Sequence, residues 1–297
     1  MEDNPPVFAV EIAVGETAVP VLLDLLATLD LPPTAISSYE DVDAHCGTVY
    51  ILTDTAEEQQ AARRQVDGAL PHWEELLPEP VREIRLTAIK REDWAESWKK
   101  YFHPFRASRR IVIRPSWEPY QAGAGDILLE IDPGMCFGTG NHGTTMACIQ
   151  FLDEIAMERG AGLSFTDAGC GSGILSMAAR KLGYSPVFAF DYDPQCVTTS
   201  RENLAAAGID GVELAVGDVH DVAAPFRADV VVANILGHIL LEADRHLLSM
   251  VAPGGLLILS GILNEQYPAI GGHFEKLGLR QLECRVIKEW STGLFQL

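Results

Sequence analysis

The run Asp167-Ala168-Gly169-Cys170-Gly171-Ser172-Gly173 decides the fold. A β-rich stretch, Leu163 to Asp167, leads into it, and a stretch of helical character, Ile174 to Leu182, leads out. Glycines at 169, 171 and 173 let the backbone turn tightly and approach a ligand with no side chain between. At the junction of strand and helix this reads as a cofactor loop, with an ordinary tight turn as the plainer alternative. A dinucleotide fingerprint places its third glycine three positions after the second, and that position is Ile174. The spacing therefore speaks against a bound pyrophosphate and against a nicotinamide-dependent oxidoreductase.

Downstream, short β-rich runs at Pro186 to Phe190, Val212 to Val216, Asp229 to Ala233 and Leu256 to Ser260 alternate with helical stretches. The helices are expected at Pro194 to Ala207, His238 to Met250 and Gln266 to Leu277. Such alternation predicts an α/β fold: a mostly parallel sheet, helices on both faces, and a ligand at the carboxyl ends of the strands. Those ends carry polar residues. Asp191, in Phe190-Asp191-Tyr192-Asp193-Pro194, can accept hydrogen bonds from both hydroxyls of an adenosine ribose, while Asp193 caps the helix opened by Pro194. Gly217-Asp218-Val219 offers an acid and a neighbouring amide to the adenine amino group and ring nitrogen, although a Gly-Asp pair is also a common turn. In Ala233-Asn234-Ile235-Leu236, the Asn234 side-chain carbonyl and the backbone carbonyls of Ile235 and Leu236 could align the lone pair of a neutral amine. The alternative is an amide that ties down a loop.

Upstream lies Asp132-Pro133-Gly134-Met135-Cys136-Phe137-Gly138-Thr139-Gly140-Asn141-His142-Gly143-Thr144-Thr145, dense in hydroxyls and glycine amides that suit a polar ligand end. Thr144 or Thr145 is expected to cap the helix that follows. His142 has no second histidine at ligand spacing, so no metal site is expected. Before this stretch, Glu92 to Arg106 places Trp94, Trp98 and Tyr101 on one helical face, and Pro104 ends the helix. Arg110 to Ile113 and Ile127 to Ile131 read as a strand pair. In the first 90 residues, strands at Val7 to Val14, Thr48 to Thr53 and Glu83 to Ile89 with helices at Thr17 to Leu29 and Ala56 to Leu70 suggest a small α+β domain without catalytic residues.

The 297 residues carry 42 acids and 22 bases, a formal net charge of -20, with 47% hydrophobic residues. That composition buries a core and excludes disorder. An acidic excess repels phosphate backbones, so no direct nucleic-acid contact is expected, whereas a basic partner or a small molecule fits. Residues 1–90 hold 17 acids and 5 bases, residues 91–125 hold 4 and 7, and residues 126–297 hold 21 and 10. Two acidic bodies, 1–90 and 126–297, are thus expected on either side of an aromatic and basic linker, 91–125. The acidic start Met1-Glu2-Asp3 lacks signal-peptide character, and the apolar run Val230 to Leu241 falls short of the roughly 20 residues of a membrane helix. Six scattered cysteines suit reduced thiols. A cytoplasmic protein, monomeric and away from membranes, is expected.

Glycine spacing of the 169–173 kind resembles motif I of class I methyltransferases, which hold S-adenosyl-L-methionine. Together with EDWAESWKKYFHPFR, DPGMCFGTGNHGTT, DAGCGSGIL, DYDP, DVVVANIL, PGGLLILSGIL and the late KEW, the chain resembles the PrmA family, the ribosomal protein L11 methyltransferases, over residues 92–292. The resemblance implies methyl transfer from S-adenosyl-L-methionine to lysine side chains and the N-terminal amine of that large-subunit ribosomal protein. It also implies a substrate-recognising role for the N-terminal domain. The family's cofactor contacts fall on Phe137, Gly138, Thr139, Gly140, Thr145, Gly169, Asp191 and Asn234. Thr144, Asp167, Gly171, Gly173, Asp218 and Val219 complete the expected cofactor set, and Asn234, Ile235 and Leu236 the catalytic one. Cys136, Asn141-His142-Gly143 and the ending Leu294 to Leu297 depart from common family patterns. The residues leave open the same fold and cofactor with another protein lysine or a small amine as acceptor.

Overall fold

A computed structural model describes residues 7–26, 28–29, 31, 36–41, 46–73, 76–89, 103–132 and 142–297. The chain divides into two compact units, Met1–Tyr101 and Phe102–Leu297.

In the first unit, β1 (Val7–Gly15), α1 (Val19–Leu26), β2 (Ile36–Asp41), β3 (Cys46–Thr53), α2 (Ala56–Trp73) and β4 (Glu83–Ile89) form an antiparallel sheet of order β2-β3-β1-β4 with two helices. Alternation along β1 sends Val10, Ile12 and Val14 into one core with Val49 and Ile51 of β3, Leu22 and Leu26 of α1, and Ala62, Val66 and Trp73 of α2. The buried Gln59 amide of α2 donates to the carbonyls of Ala9 at 2.6 Å and Thr87 at 2.7 Å, tying the helix to two strands. The strand at Ile36–Asp41 has too little apolar alternation to be read from sequence, and α1 stops at Leu26, three residues before the expected end.

The second unit opens with β5 (Phe105–Arg106), β6 (Ile111–Arg114) and β7 (Ile127–Glu130), β5 antiparallel and β7 parallel to β6. Then follow α3 (Gly143–Arg159), β8 (Phe165–Ala168), α4 (Ile174–Leu182), β9 (Val187–Asp191), α5 (Pro194–Ala206), β10 (Val212–Val216), β11 (Ala228–Asn234), α6 (Gly237–Glu242), α7 (Asp244–Met250), β12 (Val251–Leu263), α8 (Tyr267–Lys276), β13 (Arg280–Ile287) and β14 (Trp290–Gln296). Their sheet runs β10-β9-β8-β11-β12-β14-β13. The first five strands are parallel, and β14 runs antiparallel to both β12 and β13. Helices α3 and α4 cover one face through Ile149, Leu152, Leu175 and Met177, and α6 to α8 cover the other through Leu240, Leu247, Ile270 and Phe274. The strand order departs in opposite directions from β8, toward β9 on one side and β11 on the other. That switch point is where a crevice opens beyond the strand ends.

Two expectations change. Residues 103–125, expected in the linker, belong to the second unit, because Ala107, Ile111 and Ile113 pack in the core of α3 and the main sheet. The carboxylate of buried Asp153 on α3 fixes this attachment, accepting from the Ser108 hydroxyl at 2.6 Å and from the Arg110 amide and Nε at 2.9 and 2.6 Å. The helix expected at His238 to Met250 breaks at Ala243 into α6 and α7; Ala243 makes no side-chain cap bond, and Asp244 in the first turn of α7 accepts from the Arg245 amide and lies 2.6 Å from His273 Nε2. The hairpin β13–β14 was not foreseen. The aromatic helix expected at Trp94 to Tyr101 lies outside the described residues. No helix among the described residues is long and apolar enough to cross a membrane.

Burial alone would raise the Asp153 pKa, but the Ser108 hydroxyl and Arg110 hold it below the ordinary aspartate range. Its stabilising effect is therefore full above that range and is lost as pH falls through the depressed value. Asp153→Ala removes the carboxylate that pairs with the Arg110 side chain, leaving it only the backbone carbonyl of residue 153, and is expected to lower unfolding stability by about 3 kcal/mol, read from urea titration at pH 7.

Candidate active site

A cavity of about 600 Å³ opens beyond the carboxyl ends of β8, β9, β10 and β11. Its floor is the glycine loop after β8. Gly169 has φ 79°, and a Cβ there would stand 2.5 Å from the Ile235 Cγ2. Gly261, at the end of β12, has φ 80° and would place a Cβ 2.3 Å from the Ile235 carbonyl oxygen. Both positions need glycine for conformation and for space.

On one side stands Asp191, 6% exposed, whose Oδ2 accepts from the Gly171 amide at 2.9 Å and whose Oδ1 accepts from the Asp193 amide at 3.0 Å. The acid latches the glycine loop while keeping further lone pairs for a ligand. Asp193 caps α5 through the Gln195 amide at 2.8 Å, with Pro194 in the first turn, as expected. The Gly217 amide donates to the Asp191 carbonyl at 2.9 Å, which brings Asp218 and Val219 onto the same wall. On the other side, two strand spacings or roughly 10 Å from β9, is the end of β11. Asn234, Ile235 and Leu236 line the cavity there. The Oδ1 of Asn234 and the Oγ1 of Thr145 are buried without a hydrogen-bond partner among the described residues. Both residues line the cavity, so each is an acceptor site that a ligand would satisfy.

The structure brings together Thr144, Thr145, Gly169, Gly171, Asp191, Asp218, Val219, Asn234, Ile235 and Leu236. Phe137, Gly138, Thr139 and Gly140 lie outside the described residues. Gly173 and Asp167 are placed behind the wall. Gly173 closes the turn into α4, its amide donating to the Cys170 carbonyl at 2.8 Å. Asp167 is fully buried and accepts from the Ser176 hydroxyl at 2.7 Å, with its other oxygen unpartnered among the described residues. Neither Thr144 nor Thr145 caps α3. His142 holds the cap position, where its side chain makes no capping bond, and both threonines lie within the first turn, buried against the sheet. The Thr144 hydroxyl sits 2.7 Å from His142 Nδ1 instead.

Sequence reasoning missed part of the lining. Trp290, at the start of β14, packs against the His142 ring at 5.0 Å between centroids, and both face the cavity with Tyr192, Cys196, His220 and Ile239. The signal for Trp290 was the late Lys288-Glu289-Trp290 run, noticed only as part of a resemblance. Burial lowers the His142 pKa, so its imidazole is mostly neutral at pH 7. The Cys170 thiol is pushed well up by burial and stays protonated.

A family model described as ribosomal protein L11 methyltransferase (PrmA) matches residues 33–296. The chain belongs to this family. Ribosomal protein L11 methyltransferases of Geobacter metallireducens and Citrifermentans bemidjiense are 37% and 42% identical to it over 270 and 277 residues, 90% of this chain and 87% of each relative. A solved ribosomal protein L11 methylase from Lactobacillus delbrueckii subsp. bulgaricus matches with TM-score 0.58 and 33% identity, covering 65% of this chain and 98% of its own. The larger unit thus has the class I methyltransferase fold, and the expected family and fold stand. In this methyltransferase the cavity occupies the switch point at which that fold binds its ligands.

Burial pushes the Asp167 pKa up to about 7, with Asp191 adding to the rise and the Ser176 hydroxyl opposing it. Between pH of about 4 and about 7, the unfolded chain releases this proton and the folded chain keeps it, so stability falls as pH rises through that window. Asp167→Asn, which preserves the Ser176 bond, is expected to flatten this slope in urea midpoints measured across the same range.

Proposed function

We propose that this methyltransferase binds S-adenosyl-L-methionine in the cavity and N-methylates lysine side chains and the N-terminal amine of ribosomal protein L11. The observation that carries the reading is the pair of buried polar atoms without a partner among the described residues, Asn234 Oδ1 and the Thr145 hydroxyl, on two residues lining a cavity whose opposite wall presents the Asp191 carboxylate. These residues fit the group: a carboxylate for a vicinal diol, a side-chain-free loop for close approach, and acceptors for ammonium or amine hydrogens.

Bound there, S-adenosyl-L-methionine supplies a methyl group already activated by its sulfonium. The protein's task is placement. Asp191 holds the ribose, and Asp218 with the Val219 amide meets the adenine. The Leu236 carbonyl already accepts the Leu240 amide at 3.2 Å to open α6, so the Asn234 side chain and the Ile235 carbonyl are the pair that orients an incoming amine. Holding the lone pair in line at near-attack distance is the larger part of the rate gain. A lysine has an ordinary pKa near 10.4 and must lose its proton first; the apolar Ile235, Leu236, Ile239 and Trp290 favour the neutral form by desolvation. The net charge of -20 attracts a lysine-rich ribosomal protein before it joins RNA, in the cytoplasm.

Mass spectrometry of L11 incubated with the enzyme and S-adenosyl-L-methionine is expected to show added methyl groups on lysines and the N-terminus. An unmodified L11 would sink the reading. Asp191→Ala is expected to weaken cofactor binding about 100-fold by calorimetry, because it removes charge-assisted bonds, and to lower kcat less. Asn234→Ala is expected to do the reverse, lowering kcat about 100-fold with little change in cofactor affinity.

A further inference from the structure

We propose that His220 is a positioning residue that aims the Asp218 carboxylate at the exocyclic amine of the adenine ring, so that the cavity selects 6-aminopurine over 6-oxopurine cofactors; this rests on the reading of the cavity as an S-adenosyl-L-methionine site. The argument begins at the ribose carboxylate. The Gly217 amide is bonded to the Asp191 carbonyl, so the turn after β10 starts beside the ribose position and Asp218 follows one residue on, where the base would extend. The Asp218 carbonyl accepts from the amides of Asp221 at 3.2 Å and Val222 at 2.8 Å, which fixes the backbone of the turn.

The side chain is then fixed by His220. Asp218 Oδ1 accepts from the His220 amide at 2.9 Å and lies 2.5 Å from His220 Nδ1. The far nitrogen of the same imidazole lies 3.7 Å from a Glu242 carboxylate oxygen on α6. His220 is thus bonded to Asp218 at one end and faces a carboxylate at the other. Both partners fall on Oδ1, and Oδ2 has none among the described residues, while Asp218 and His220 both line the cavity. A half-exposed aspartate otherwise samples several rotamers, and pinning one of them removes that entropic cost from ligand binding. An ionised carboxylate only accepts hydrogen bonds. Adenine offers a donor at position 6. A hypoxanthine offers a carbonyl there, setting acceptor against acceptor.

The test is calorimetry on the full chain with S-adenosylhomocysteine and its deaminated counterpart, S-inosylhomocysteine. The wild-type chain is expected to prefer the adenosyl compound by about 10- to 100-fold, the range of one bond to a charged group. In His220→Ala that ratio is expected to fall at least about fivefold through weaker adenosyl binding, with inosyl affinity held within about twofold. His220→Asn, whose amide nitrogen substitutes for Nδ1 as donor, is expected to recover most of the ratio. Asp218→Asn is expected to collapse it, with no further loss when His220→Ala is added. Equal weakening of both ligands by His220→Ala, or an untouched ratio, overturns the proposal. A wild-type chain that binds both ligands alike overturns it while the cofactor site stands; a chain that binds neither overturns both.

Discussion

Asn234 and Ile235 leave β11 between two glycines that have no room for a side chain, and the site depends on that squeeze. With Gly169 against the Ile235 side chain and Gly261 against its backbone, the ends of β8, β11 and β12 close on one another around Ile235. Asn234 is thereby fixed at the edge of the cavity with its carbonyl oxygen buried and unpartnered among the described residues. A methyl group on either glycine would push the segment outward and part the end of β11 from the glycine loop. The parallel sheet supplies the strand ends, and the two missing side chains bring them into register for chemistry.

Opposite this wall, one carboxylate does two jobs. Asp191 spends a lone pair on each oxygen to anchor the glycine loop and the turn into α5, and what remains faces the cavity. A change at Asp191 that altered what the cavity is offered would therefore release the loop as well. Asp167, one strand away, takes the contrasting course. Burial favours its protonated form against the opposing pull of the Ser176 bond, so a second negative charge is not forced close to Asp191.

Much of this was legible in the sequence where local rules dominate. The glycine loop, the Asp193 cap with Pro194, and the β-rich runs ending at Asp191 and Asn234 each follow from residue type and spacing. The features that were not legible depend on distant partners. Thr144 and Thr145 look like caps from composition, but packing of α3 on the sheet buries both. Asp167 sits in the glycine motif yet points inward to Ser176. The attachment of residues 103–125 to the second unit rests on Asp153, more than 40 positions away from Ser108 and Arg110. Trp290 and His142 meet across almost half the chain, and no local pattern announces such a pair.

The edge hairpin has a consequence for the order in which the molecule is assembled during synthesis. Strand β13 leaves the ribosome before β14, yet it pairs with β14 and reaches the sheet through it. Until β14 has emerged and docked on β12, β13 has no neighbour to join, and Trp290 and Thr292 are missing from the site region. The glycine loop and the Asp191 latch need no residue of this hairpin, whereas the stretch of cavity wall that Trp290 lines closes only when β14 docks.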